Sequence, residues 1–319
     1  MLVHIWGCRG SLPVASNTTI LQGKLSQALL AVSGRTFTNE TDIGDFLEND
    51  VPWPVSHSFG GNTSCVQIET GADSYTLCDL GSGAREFGQK MLATHGPGNP
   101  QTYNIFLSHL HWDHVMGFPF FIPSYIPGNT INIYSCHSEA ESAFHNQHSE
   151  PGFPVDFSIL GAAISFHTVT PNEPFVVDGT TVTAVRQYHG GDSFGYRFDR
   201  DGKSVVYSTD SEHKQENEDE IAIFVELFKN ADLVIFDAQY SLADMQTLRE
   251  DWGHSSNIIG VELCTAAKAK HLVLFHHEPS SNDETLYRVF EETVRYEEIV
   301  REGTPLKIST AYDGLELKI

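Results

Sequence analysis

Residues 103–114 read Tyr103-Asn104-Ile105-Phe106-Leu107-Ser108-His109-Leu110-His111-Trp112-Asp113-His114. The first five form a short apolar run of strand type, and the last six carry three imidazoles and one carboxylate. Such a cluster of strong hydrogen-bonding groups is costly to hold together unless something binds it. Zn²⁺, Mn²⁺ and Fe accept this mixed nitrogen and oxygen set. In α/β sheets, ligands bind beyond the carboxyl ends of strands, so the stretch predicts an α/β fold with a metal site at a strand end.

Further ligands are expected at other strand ends, and three suitable ones follow. His189 stands before Gly190-Gly191 at the end of the run Thr181 to Gln187, Asp210 ends Val205-Val206-Tyr207-Ser208-Thr209, and His276 follows His271-Leu272-Val273-Leu274-Phe275. Upstream, the runs Cys65 to Glu69 and Tyr75 to Asp79 read as a hairpin turning through Gly71-Ala72-Asp73. The glycines after Asp79 are not a dinucleotide loop, because the third glycine of that fingerprint is misplaced at Gly88. In Trp252-Gly253-His254-Ser255-Ser256 the serines suit a helix N-cap, before an apolar helix carrying Ile258, Ile259, Val261 and Leu263. Helices are expected over Ala84 to Thr94, Ser138 to Gln147, Glu218 to Phe228 and Asn282 to about Arg301, and a final pair of strands closes the chain. His145 and His148 lack companions and read as surface residues.

The His-x-His-x-Asp-His arrangement at 109–114, followed in order by His189, Asp210 and His276, resembles the signature of the metallo-β-lactamase superfamily. The resemblance implies a four-layer αββα sandwich of the α/β class. It implies that His109, His111 and His189 serve one metal, that Asp113, His114 and His276 serve a second, and that Asp210 bridges them. Asp79 and Asp237 would stand behind the ligands, orienting their imidazoles, and Asp113 would count among the catalytic groups. Two divalent cations per chain are implied, Zn²⁺ first, with Mn²⁺ or Fe²⁺ as alternatives. Such a pair, roughly 3.5 to 4 Å apart, supplies a bridging hydroxide and holds both sides of a phosphate undergoing in-line attack.

Asp237-Ala238-Gln239-Tyr240 together with Gly253-His254-Ser255-Ser256 is more selective. It resembles the phosphodiesterase branch of the superfamily, which includes ribonuclease Z, phosphoribosyl cyclic phosphate phosphodiesterases and bacterial cyclic nucleotide phosphodiesterases. There an extra histidine that is not a ligand assists the leaving oxygen, a role carried here onto His254. The expectation is a hydrolase of a small phosphodiester, a cyclic nucleotide or cyclic phosphoribosyl ester. A lactonase, thioesterase or β-lactamase on the same metals would give His254 no evident task. A non-catalytic sensor would predict lost ligands, and none is lost. The resemblance runs from Trp6 to Glu278 except for residues 14–57, and it departs from ribonuclease Z in lacking a basic arm to grip tRNA.

The 319 residues are 40% hydrophobic, and no Pro-, Gly- or Ser-rich run divides them. One domain over 1–319 is therefore expected. Residues 14–57 form an insertion with weak helical patterning (Leu21, Leu25, Leu29, Leu30), read as a cap or a dimerisation element, so a homodimer is an expectation. The net charge of −23, from 42 acidic against 19 basic residues, repels a long polyanion. A small anion stays compatible, because bound cations reverse the local field. Five scattered cysteines, no basic-then-apolar leader and no apolar stretch near the roughly 20 residues of a membrane span point to a cytoplasmic protein with no membrane partner. Two further features are candidates for substrate contact. Arg9, in the turn-rich Gly7-Cys8-Arg9-Gly10, could pair with a phosphate or form a structural salt bridge, and Phe120 and Tyr125 in the proline-broken Gly117 to Tyr125 could face a nucleobase, pack in the core or meet a subunit.

Overall fold

The structure is a computed structural model that describes residues 1–213, 218–241 and 253–319. The first sheet contains β1 (Leu2–Gly7), β2 (Cys65–Glu69), β3 (Tyr75–Cys78), β4 (Thr102–Leu107), β5 (Thr130–Ser135), β6 (Ala163–Thr168) and β14 (Glu316–Lys318). The second contains β7 (Phe175–Val177), β8 (Thr180–Gln187), β9 (Ser193–Arg200), β10 (Lys203–Ser208), β11 (Leu233–Asp237), β12 (His271–Phe275) and β13 (Lys307–Thr310). Their orders are β14-β1-β2-β3-β4-β5-β6 and β13-β12-β11-β10-β9-β8-β7. Pairing is antiparallel from β14 to β3 and parallel from β3 to β6, and the second sheet repeats this, antiparallel from β7 to β10 and parallel from β10 to β13.

Side-chain alternation sorts the parallel strands into layers. In β12, Val273 and Phe275 face the space between the sheets, whereas Leu272 and Leu274 face the outer helices. In β11, Leu233 and Ile235 likewise point inward, and Val234 and Phe236 outward. A strand buried on both faces must be apolar at every position, which is why these segments read as unbroken apolar runs. The first sheet is covered outside by α4 (Gly83–His95) and α6 (Ala140–Gln147), whose Phe87, Met91 and Phe144 meet Ile105, Ile131 and Ile133. The second is covered by α7 (Glu218–Phe228) and α8 (Asn257–Ala266), with α9 (Asp283–Val300) packing against α8. The result is two sheets packed face to face between helices, the four-layer sandwich expected.

The insertion, between β1 and β2, contains α1 (Thr18–Ala31), α2 (Glu40–Asn49) and α3 (Trp53–Ser56). Two sequence readings are corrected, and a third that was left open is decided. The last two strands do not pair with each other: β13 extends the second sheet beside β12, and β14 returns to β1. His148 is not on the surface but buried, its ring against Phe118, Phe153 and Phe157 and its Nδ1 within hydrogen-bond distance of the Val155 carbonyl. Gly117 to Tyr125 is largely core: it forms two short 3₁₀ turns, and Phe118 and Phe121 are fully buried.

Candidate metal centre

The predicted ligands converge from one end of the two sheets. β4 runs into His109 and the short helix α5 (Trp112–Val115), which carries Asp113 and His114; β8, β10 and β12 end just before His189, Asp210 and His276. Three groups at these strand ends, Asp79, Asp210 and His276, adopt left-handed backbone at φ 59°, 52° and 59°. L-residues other than glycine avoid that region, and held there they mark positions that the surrounding structure over-determines.

Asp113, His114, Asp210 and His276 form one compact group, all buried. His114 Nδ1 donates to Asp79 Oδ2 at 2.7 Å, and His276 Nδ1 donates to Gln239 Oε1 at 3.1 Å. Each histidine therefore turns the lone pair of Nε2 inward, and those two atoms lie 3.3 Å apart. Asp113 Oδ2 and Asp210 Oδ1 are each 3.2 Å from both. With both Nε2 atoms unprotonated, the four are acceptors facing one another, a set that fits a cation. Burial opposes charge on His114, yet Asp210, Asp113 and Asp79 raise it well above the usual imidazole range, so the pocket draws positive charge. Spacings of 3.2–3.3 Å suit four ligands arranged tetrahedrally about 2.0 Å from a common centre, the Zn–N and Zn–O distance.

The second group is His109, His111 and His189. His109 Nδ1 donates to Ser108 Oγ at 3.0 Å, leaving a buried Nε2 without any partner. An orphaned, inward-facing lone pair is hard to account for except as a ligand atom. His189 Nδ1 donates to the Gly253 carbonyl at 2.8 Å, and its Nε2 is 3.1 Å from His111 Nδ1. Burial lowers the basicity of all three, keeping the imidazoles neutral as ligands must be. Asp210 Oδ2 lies 3.7 Å from both His109 Nε2 and His189 Nε2. One oxygen of Asp210 thus faces each group, as a bridging ligand would.

Asp79 is fully buried and organises the first group from behind. Besides His114 it accepts from the Ser108 backbone N–H at 2.8 Å, from Ser108 Oγ at 2.7 Å and from the Tyr207 hydroxyl at 2.7 Å. Asp237, at the end of β11, accepts from His254 Nδ1 at 2.9 Å. The His254 ring stacks on His276, 5.1 Å between centroids, and stands 5.0 Å from His189. Burial opposes its charge, but Asp237, with Asp210 and Asp113 behind it, raises the imidazolium to about 9. His254 therefore sits beside both groups with its own carboxylate partner. Its neighbour Trp252 lies outside the described residues.

The substrate candidates fare differently. Arg9 is buried and faces the protein, not the centre: it donates to the carbonyls of Gly60, Glu278 and Ser281, with Asp283 3.7 Å away. It ties loops together, and Ser11, two residues on, is what reaches the centre, donating its N–H to Asp113 Oδ2 at 2.7 Å. Tyr125 is half-buried and spends its hydroxyl on the Pro119 carbonyl. Phe120 is exposed and meets Phe153 edge to face. Sequence reasoning missed Trp112. It is 82% exposed between His111 and Asp113, and its indole has no ring neighbour among the described residues.

Comparison with known proteins bears on the fold that carries these residues. The family model described as the beta-lactamase superfamily domain matches residues 76–277, which carry every predicted ligand. The structure is similar to YhfI of Bacillus subtilis, a metallo-beta-lactamase fold protein (17% identity, TM-score 0.63, covering 99% of this chain and 98% of that one). It is also similar to a diphosphatase of the PhnP family (19%, 0.60, 100% and 97%) and to the short form of human tRNase Z (18%, 0.60, 100% and 99%). No curated protein matches the sequence.

Proposed function

The chain belongs to the beta-lactamase superfamily, and on that footing we propose that it is a dinuclear metal-dependent hydrolase of small phosphodiesters, with a cyclic nucleotide or cyclic phosphoribosyl ester as the substrate class. The observation that carries the reading is His254. It is buried, paired with Asp237 at 2.9 Å, and belongs to neither the group of His109, His111 and His189 nor that of Asp113, His114, Asp210 and His276, although it also lies within ligand distance of His189 with Asp210 and of Asp237 with His276. Ester, thioester and lactam hydrolysis on this centre would leave that dyad without a task. The similarity to a PhnP-family diphosphatase and to tRNase Z accords with phosphoryl chemistry.

His109, His111, His189 and Asp210 Oδ2 would hold one cation, and Asp113, His114, His276 and Asp210 Oδ1 the other. When bound, two divalent cations polarise a phosphoryl oxygen and make water a nucleophile near neutral pH. The chain's own residues do the rest. Asp79 and Gln239 fix which nitrogen His114 and His276 present. The Ser11 N–H steadies Asp113. His254, oriented through Nδ1 by Asp237, points the remaining ring nitrogen away from its partner and can donate a proton to the departing oxygen. Nearby cations would bring its pKa down from about 9 toward neutrality, where a general acid works best. Trp112 and Phe120 are the exposed aromatic faces proposed to meet the base.

The test is leaving-group dependence. An alkoxide leaves poorly, and a positioned acid is worth roughly 10² to 10⁴-fold to it, whereas a nitrophenolate needs little help. His254→Ala should depress kcat strongly for a cyclic ribose ester and weakly for bis-nitrophenyl phosphate, with metal content unchanged. Equal losses on both substrates, or lost metal, would remove the role. A net charge of −23 argues against long RNA, so small diesters should exceed a tRNA precursor in kcat/KM at physiological salt.

A further inference from the structure

Helix α1 is apolar on nearly every side, and little of the chain covers it. Ile20, Leu21, Leu25, Leu29 and Leu30 are 40 to 77% exposed, and no residue of the helix is buried. Its one charge, Lys24, is already held by Asp283 at 2.5 Å and by the His57 carbonyl. A helix that is hydrophobic all round belongs in an interior, and a contiguous exposed apolar patch marks an interaction site where scattered single leucines do not. Leu21, Leu25 and Leu29 recur every four residues and so form a single ridge, the kind that fits the groove of another helix. Gly23 sits inside the helix with nothing within 4 Å of where a Cβ would be. Alanine is the better helix former there, so contacts among the described residues give no reason for glycine.

We infer that α1 is the surface through which two copies of this chain associate about a twofold axis. At roughly 100 Å² each, the three ridge leucines offer on the order of 300 Å² of apolar surface per copy, about what the apolar part of one side of a small interface of ~500 Å² per partner requires, with Ile20 and Leu30 turned elsewhere around the helix. The charge is right as well. The chain carries −23, so two copies repel over most of their surfaces, but α1 has no acidic residue. A lipid surface fits worse, because attraction to anionic headgroups calls for free Lys or Arg on the helix, and Lys24 is paired. Lys24, together with Gln27 3.4 Å from Glu284, anchors α1 against the start of α9, so the ridge is held in place. The twofold also needs only one kind of patch, which each copy supplies. This interface is independent of the chemistry proposed for the metal centre.

Sedimentation velocity of the full chain, loaded with metal and at micromolar concentration, is expected to give twice the 35.4 kDa chain mass. Leu25→Asp combined with Leu29→Asp, both at exposed positions, should halve that mass while the far-ultraviolet circular dichroism and the hydrolytic rate per chain stay as in the wild type. A monomeric wild type overturns the inference whatever the variant does, and so does a double variant that keeps the doubled mass. Flotation of a monomeric wild type with phosphatidylcholine–phosphatidylserine vesicles would assign the helix to a membrane surface and also overturn it.

Discussion

Asp79 accepts four hydrogen bonds in full burial from left-handed backbone, and one of its partners is the candidate ligand His114. Its carboxylate fixes the tautomer that turns Nε2 toward the centre. Asp79→Asn removes the charge and presents an amide donor to groups that already donate. Metal affinity is expected to fall by about 10- to 100-fold, measured by competition with a chelating dye. Unchanged affinity would show that Asp79 only braces the fold. A second carboxylate, Asp313, lies away from the centre and accepts from the Gly61 and Asn62 N–H groups at 3.0 and 2.9 Å. Burial, with Glu86 adding to it, raises Asp313 from 3.8 to about 6. An acid whose pKa is raised on folding contributes stability that is complete below pH 3.8 and is lost as pH rises through about 6. Asp313→Asn takes that titration away. The unfolding midpoint of the variant minus that of the wild type should therefore climb between pH 4 and pH 7, and a difference independent of pH would refute the assignment.

Among the elements, the turn leading into α8 does two jobs at once. Gly253, at φ +80°, donates its N–H toward Glu212 at 3.3 Å and receives His189 Nδ1 on its carbonyl, and the next residue is His254. A Cβ there would lie 2.5 Å from His189 Nδ1. Gly253→Ala is thus both strained and obstructed. It should displace His189 and His254 together, lowering metal affinity and hydrolysis while the far-ultraviolet circular dichroism stays unchanged; full activity in that variant would show the loop to be pliable. Elements of this kind differ in how well sequence announces them. β11 and β12 were legible because burial on both faces demands unbroken apolar runs, and α9 because Asn282 caps it, accepting from the Thr285 N–H at 2.9 Å. β7, with three residues, and α3, with four, are too short to show a period, and the acidic α2 buries only Phe46.

At the scale of the whole molecule, each of the two sheets combines three antiparallel and three parallel pairings, and the centre forms where strand ends of both sheets meet. Asp210, from the second sheet, faces histidines from both. Asp210→Ala should therefore weaken both metal sites, whereas His276→Ala should chiefly weaken one, as read by elemental analysis after dialysis against a weak chelator. At most one metal bound by the wild type in saturating Zn²⁺ and Mn²⁺ would end the dinuclear reading.

The candidate ligand set was legible in the sequence by itself, because ligand chemistry restricts residue type and strand ends restrict place: His109, His111, Asp113, His114, His189, Asp210 and His276 could be named before any coordinate, and the fold brings them together. Partnerships needed the fold. That Asp79 belongs to His114, Gln239 to His276 and Asp237 to His254 depends on contacts across 35, 37 and 17 residues, which no local pattern encodes. Direction needed it too. Arg9 and Trp112 both lie close in sequence to residues of the centre, but the guanidinium is drawn into a ring of backbone carbonyls while the indole is left in solvent. A motif specifies which atoms are available; which way a side chain turns is decided by what packs against it, and that is a property of the tertiary structure alone.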